Sequence, residues 1–246
     1  MRKIWILILV LTSLLPSCEK NSLTDCFNST GPITTVEREV DDFNNILLRH
    51  NVNLYLRQAG ENKITVIAGS NLMKKIGTKV NDKGQLEIRN DNICNWVRSF
   101  ETPIDVYLDF VKLDSIEYRS IGDVIAEETL FLDTLKIEVL EGAGKIDLKL
   151  DVHILYCGLI NATADIVLKG DCGVSYVYSA GYGLIDNREL VSKFVYVTNK
   201  SSNDLYLQAT VELGATIENI GNIYYSGNPP EVDLNGTGTG KLIKLD

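Results

Sequence analysis

The chain has 246 residues, with 33 Asp and Glu against 24 Lys and Arg and a formal net charge of −9 at pH 7. That balance disfavours nucleic acid and anionic membrane surfaces as partners, because both repel an acidic protein. Two histidines and five cysteines, with no CxxC pair and no Cys/His cluster, argue against a zinc site.

Arg2 and Lys3 open the chain, and Ile4 to Leu15 form an apolar stretch too short to span a bilayer comfortably as a helix. Leu15-Pro16-Ser17-Cys18 follows and resembles the bacterial lipobox. This predicts a signal peptide over residues 1–17, cleavage before Cys18, and acylation (palmitate) of the Cys18 thiol. The alternative is an ordinary secretory peptide with an incidental Cys. Several acyl chains on one Cys anchor stably, since each buried CH₂ contributes about 0.8 kcal/mol. The signal holds two bases and no acid, so its removal takes the net charge from −9 to −11. Residues 18–31, the lipidated Cys and EKNSLTDCFNSTG, read as a polar tether. Residues 32–246 read as one domain. The expected location is the cell envelope, lipid-anchored at the outer membrane, on its periplasmic or surface face.

From Val36 the pattern is strand-like. Val52, Leu54 and Leu56 alternate with polar or amphipathic residues, and Ile64, Val66 and Ala68 do the same beyond a turn at Ala59–Asn62. Ser70–Gly77 is the one helical candidate, with Leu72 and Ile76 on one face and Gly77 as its stop. Asn81-Asp82-Lys83-Gly84 turns into Gln85–Ile88, and a further strand covers Ile104, Val106 and Leu108.

Beyond about Leu113 an internal repeat of roughly 20 residues appears. One ladder reads Ile116, Ile137, Leu155, Tyr176, Val195 and Ile217. A second reads Val124, Ile146, Ile166, Leu184, Leu205 and Ile223. A third, fainter, reads Leu130, Val152, Cys172, Leu190 and Val211. Three apolar ladders per repeat predict three short strands per coil of a parallel β-helix. Small or polar corners such as Gly142-Ala143-Gly144-Lys145 separate them. An antiparallel sandwich is the competing architecture. The fold class is all-β: a parallel β-helix-like solenoid with a mainly β N-terminal portion.

Arg38-Glu39-Val40-x-x-Phe43-x-x-Ile46 and the Val52/Leu54/Leu56 strand precede Ile64-x-Val66, Asn71, Ile76 and Gly84-x-Leu86-x-Ile88. Gly122-Asp123-Val124, Gly144-Lys145-Ile146, Gly221-Asn222-Ile223 and Gly227-x-Pro229 come later. Taken in order, these resemble the head GIN domain (auto-transporter adhesin) family of Bacteroidetes-type envelope proteins, over about Ile33 to Leu245. The resemblance implies a right-handed β-helix-like fold and surface or periplasmic placement. It supplies no catalytic residues. This chain departs from the pattern where corners lack glycine, at Ala162–Asp165 and Ser202–Asp204.

No catalytic constellation is evident, and no cofactor or metal motif. His50 and His153 lie far apart, with no nucleophile beside either in sequence. Asp123, Asp165 and Asp204 recur before the second ladder, and Glu117, Glu138 and Glu218 recur on the first strand. They read either as Ca²⁺ or sugar ligands or as solvated corners and faces of an acidic protein. Gly236-Thr237-Gly238-Thr239-Gly240-Lys241 fails as a phosphate loop, because Asn235 and Leu242 stand where Gly and Ser/Thr are required. Alternation from the first ladder places Tyr156, Val177 and Tyr196 outward. This Tyr-Val-Tyr strip could stack on sugar rings or meet a partner, or could serve cross-strand stabilisation alone. Trp96, with Arg98 and Phe100, is a second candidate surface. Cys157 and Cys172 fall on inward positions and are expected to be buried free thiols. Cys26 and Cys94 fall on no ladder, and in an oxidising compartment they are expected to pair as a disulfide. The function expected is a non-enzymatic, adhesion-like module for a protein or glycan. The alternative is a carbohydrate-active or glycan-binding protein using an acidic or aromatic face.

Overall fold

The computed structural model describes residues 29–92 and 103–246. Its N-terminal region contains β1 (Ile33–Arg38), β2 (Asn45–His50), β3 (Asn53–Gln58), β4 (Lys63–Gly69), β5 (Ile76–Val80), β6 (Gln85–Asn90) and β7 (Asp105–Phe110). The repeat region contains β8 (Ser115–Ser120), β9 (Val124–Gly142), β10 (Lys145–Ile160), β11 (Asp165–Ala180), β12 (Ile185–Asn199) and β13 (Leu205–Ile217). It ends in β14 (Ile223–Ser226), β15 (Glu231–Asn235) and β16 (Leu242–Lys244). The whole is a parallel β-solenoid of about six turns, the architecture that the three ladders predict.

From β8 onward successive coils stack in sequence order, all pairs parallel. The N-terminal region does not follow that order. β2 and β3 form a coil that stacks on β8 and the start of β9, 70 residues further on. The intervening chain passes to the other side of this coil. There β6 pairs parallel with β2, and β7 pairs parallel with β3. β5, β4 and β1 then add antiparallel strands at that end. These antiparallel strands cover an edge of the parallel coils that would otherwise be open to another chain.

The interior is a set of ladders crossing the coils. One runs Ile46, Ile116, Ile137, Cys157, Val177, Val197, Ala215. Another runs Leu54, Val124, Ile146, Ile166, Ile185, Leu205, Ile223. All of these residues are buried. The second sequence ladder is therefore correct except at one coil, where Ile185 rather than Leu184 points inward. The first mixes registers: Leu155 pairs with Leu135 and Ser175, not with Ile137. The third likewise mixes two rows, because Leu130 pairs with Leu150 and Val152 with Leu132. Val211, placed on that ladder, is exposed.

Ser70–Gly77 is not a helix. A single 3₁₀ turn at Met73–Lys75 runs directly into β5. The segment is too short to offset helix nucleation, whereas as a strand it pairs five residues with β6. Leu72 and Ile76 are both buried as expected, but Gly77 lies inside the strand opposite Arg89. Cys157 and Cys172 are buried free thiols. Burial pushes Cys157 up to about 12 and Cys172 up to about 11, so both stay protonated at neutral pH.

Corners are held in two ways. Where glycine stands, the next coil comes too close for a side chain. At Gly142, with φ of 109°, an added Cβ would lie 1.6 Å from the Ser120 carbonyl oxygen. Where glycine is missing, side chains make the turn. Asn161 adopts φ of 55°, and Thr163 donates to the Gly142 carbonyl at 3.1 Å. Ser201 donates to the Gly181 carbonyl at 2.6 Å, while the Asn199 amide reaches the Asn203 and Asn222 carbonyls.

Candidate functional site

Strand pairing fixes which side chains share the outer surface of the first strand of each coil. One row across the coils reads Lys136, Tyr156, Tyr176, Tyr196, Gly214, Asp233. The next reads Glu138, Gly158, Tyr178, Thr198, Thr216, Asn235. The Tyr156 and Tyr176 rings stack at 5.1 Å and those of Tyr176 and Tyr196 at 5.4 Å, with interplanar angles of 9° and 23°. All three rings remain 37–43% exposed, and Tyr178 is 37% exposed. These side chains line a shallow groove of about 660 Å³.

Two of the predicted residues are therefore where alternation places them, and one is not. Tyr156 and Tyr196 face outward, but Val177 is only 3% exposed and belongs to the inner ladder. Tyr176, expected inward, takes the outer place between the other two tyrosines. Tyr178, two residues further along β11, is also exposed. On the last stretch of β11 the inward positions are Ser175, Val177 and Ser179, so two small polar side chains point inward there while the tyrosines between them point outward. A strict 20-residue interval would have found this, since Tyr156, Tyr176 and Tyr196 are equally spaced. Gly158, between Glu138 and Tyr178, leaves a gap in the second row. An added Cβ there would meet only the Ile137 carbonyl oxygen, at 3.8 Å. Trp96, Cys18, Cys26 and Cys94 lie outside the described residues.

Charge borders the aromatic rows at both ends. Lys136 pairs with Glu138 at 2.9 Å. At the far end the hydrogen bond to Glu212 holds the Tyr196 phenol above its ordinary value. Paired stacks occur elsewhere, Tyr55 with Tyr107 at 4.6 Å and Tyr206 with Tyr224 at 5.0 Å. A larger groove beside β5 has its arginines engaged: Arg38 donates to the Ile76 and Met73 carbonyls, and Arg89 pairs with Glu87 and Asp91.

The recurring acids have structural partners. Asp123 accepts the Lys145 amide, Asp165 the Leu184 amide and Asp204 the Asn222 amide, each at 2.8 Å. Each carboxylate thus fastens its corner to the next coil. Glu117 pairs with Arg119 at 2.6 Å and Glu218 with Lys200 at 2.9 Å. His153 pairs with Asp133 on an open surface. His50 lies 3.9 Å from Asp91. The glycine-rich C-terminal stretch is a stacked corner, in which the Gly238 and Gly240 amides donate to the Ile217 and Asn219 carbonyls. Among the described residues no group of three or more His, Cys, Asp or Glu could hold a metal ion.

Comparison with known proteins agrees with the fold. A model of the family described as "Putative auto-transporter adhesin, head GIN domain" matches residues 42–229. A Bacteroides fragilis protein described as a "putative adhesin" superposes with a TM-score of 0.78 at 24% identity, covering 87% of this chain and 97% of that one. A "putative adhesin" from Parabacteroides distasonis gives 0.68 at 18% identity, covering 87% and 98%. A "Putative lipid binding protein" from the same species gives 0.66 at 20%, covering 89% and 98%. None of the curated proteins matches the chain.

Proposed function

Because the chain belongs to the head GIN domain family, we propose that it is a lipid-anchored cell-envelope module that binds a protein or glycan through the tyrosine face, without catalysing a reaction. One observation carries the reading: four tyrosines on three adjacent coils are exposed around one groove, where a free-standing solenoid gains more by keeping polar residues outside. The adhesin description of the family and of its structural neighbours supports a binding role. The engaged state of the recurring acids supports binding over hydrolysis, which needs two convergent carboxylates on one bond.

The face is tested by probing glycan and peptide arrays with the purified full chain and its Tyr176→Ala variant. The expected result is a signal that the variant loses. Equal signal from both would reject this face. Anchoring is carried by the lipobox-like Leu15–Cys18, and Cys18→Ala is expected to move the protein out of the detergent phase or stop its maturation. A disulfide between Cys26 and Cys94 would tie the tether to the stretch of chain between β6 and β7. It requires Cα atoms within about 7 Å, and two alkylatable thiols at those positions in envelope-derived protein would reject it.

A further inference from the structure

We infer that the ligand of the tyrosine face is a neutral glycan chain lying along the solenoid axis, with one sugar ring seated in the gap above Gly158. This rests on the reading of that surface as a binding face and adds the ligand's chemistry and its anchor point.

The gap itself is the first reason. Gly158 is flanked across the sheet by Glu138 and Tyr178 and along its strand by Tyr156 and Ile160, and all four line the groove. With no side chain at position 158, the surface has a recess one side chain deep, walled by rings, an aliphatic group and a carboxylate. That combination suits a sugar, whose C–H groups pack on the ring edges and the Ile160 side chain while its hydroxyls need hydrogen-bond partners.

Polarity is the second reason. The Lys136–Glu138 pair offers donors and an acceptor together while contributing no net charge. The phenols of Tyr156, Tyr176 and Tyr178 add neutral groups that both donate and accept. A hydroxyl-rich neutral ligand can satisfy all of these. An anionic chain would meet Glu138, Glu212 and Asp233 on a protein of net charge −9, and a cationic one would have to displace Lys136 from Glu138.

Repetition is the third. Tyr156, Tyr176 and Tyr196 present the same chemistry once per coil, 5.1 and 5.4 Å apart. Their faces are spent on one another, so the stack shows ring edges and hydroxyls outward, a repeating polar rail. A polymer of like units meets that rail in register at each coil, and a compact molecule does not.

The test is titration calorimetry of the purified full chain against neutral gluco-, manno- and galacto-configured hexasaccharides, their sulfated counterparts, and oligolysine. At least one neutral hexasaccharide is expected to bind, and its sulfated form to bind weaker by about tenfold or more. Gly158→Leu, which the open space above Gly158 accommodates, is expected to weaken neutral binding by about tenfold or more with an unchanged unfolding profile. Tyr206→Ala, on another face, should bind as the wild type does. Neutral binding that Gly158→Leu leaves intact but Tyr176→Ala abolishes overturns the seat. Oligolysine binding that needs Tyr176, without any neutral binding, overturns the glycan assignment while the binding face stands. Binding of none of these probes overturns the inference, and the array experiment then decides the face separately.

Discussion

On β8, Ile116 and Tyr118 point into the solenoid while Glu117 and Arg119 pair on its surface. On β11, three coils further along the same face, Ser175 and Ser179 point inward and Tyr176 and Tyr178 outward. The backbone register between the two is parallel, and on this face it shifts only between Tyr118 and Arg119. Both strands are paired on each side, β8 with β2 and β9 and β11 with β10 and β12, so main-chain pairing holds the geometry of each whatever its polarity pattern. The β8 coil uses its alternation for the core; the β11 coil is freed to place aromatic rings outside. Departures of this kind from local rules concentrate at functional surfaces, and here the departing stretch of β11 lines the exposed groove.

The sharpest way to break this comparison is to remove core volume from each kind of coil. Leu148 is fully buried between Ala126 and Leu168. Leu148→Ala is expected to cost about 2–5 kcal/mol, whereas Ser175→Ala should change stability by less than about 1 kcal/mol. Chemical denaturation of both variants measures this. Equal losses would mean that the serine-lined coils pack as the apolar ones do.

A smaller effect of opposite sign is expected at Asn187. Its side chain is buried, and neither its amide nitrogen nor its oxygen has a hydrogen-bond partner. It sits where the pairing of β11 and β12 shifts register. Removing an unsatisfied buried amide at similar volume recovers its desolvation cost, so Asn187→Leu is expected to stabilise by about 1–3 kcal/mol. A raised midpoint in urea with an unchanged m-value is the expected signature; a lowered midpoint would mean that the amide is satisfied in solution.

Much of this architecture was legible from residues. The solenoid, its period and one of its ladders follow from apolar side chains such as Val124, Ile146 and Ile166, which recur at roughly 20-residue spacing. The face of Tyr176 is missed when large residues are assigned inward by alternation, and it is carried instead by the even 20-residue spacing of Tyr156, Tyr176 and Tyr196. Nor was the out-of-order coil of β6 and β7 visible, since strand alternation is the same whichever neighbour a strand adopts. Asp123, Asp165 and Asp204 were visible as a series, but whether they meet ligand or backbone depends on the distance to the next coil. That distance is set by corners such as Gly142.

The corner carboxylates offer a finer test. Asp165 accepts the Leu184 amide at 2.8 Å, one hydrogen bond between a corner and the next coil. Asp165→Ala is expected to cost about 1 kcal/mol, and Asp165→Asn less, because an amide oxygen can still accept. If Asn were as costly as Ala, the carboxylate's charge rather than this bond would be holding the corner.

The smallest expected effect on stability separates what the tyrosine face does for the fold from what it does for a ligand. Tyr176 sits between two rings, so Tyr176→Ala removes two stacked contacts at once and mixes packing with recognition. Tyr176→Phe keeps the ring, its stacking and its 20-residue relation to Tyr156 and Tyr196. Only the outward hydroxyl is lost, and it is 40% exposed as part of its residue. Stability is therefore expected to move by less than about 0.5 kcal/mol. Binding should still weaken by roughly two- to tenfold, the value of one hydrogen bond of about 0.5–1.5 kcal/mol. Calorimetric titration alongside thermal unfolding reads both quantities on one preparation. A Phe variant that melts and binds as the wild type does would show that the hydroxyl rail contacts nothing. The aromatic stack would then be a device of sheet packing, and β11 would differ from β8 in pattern without differing in role.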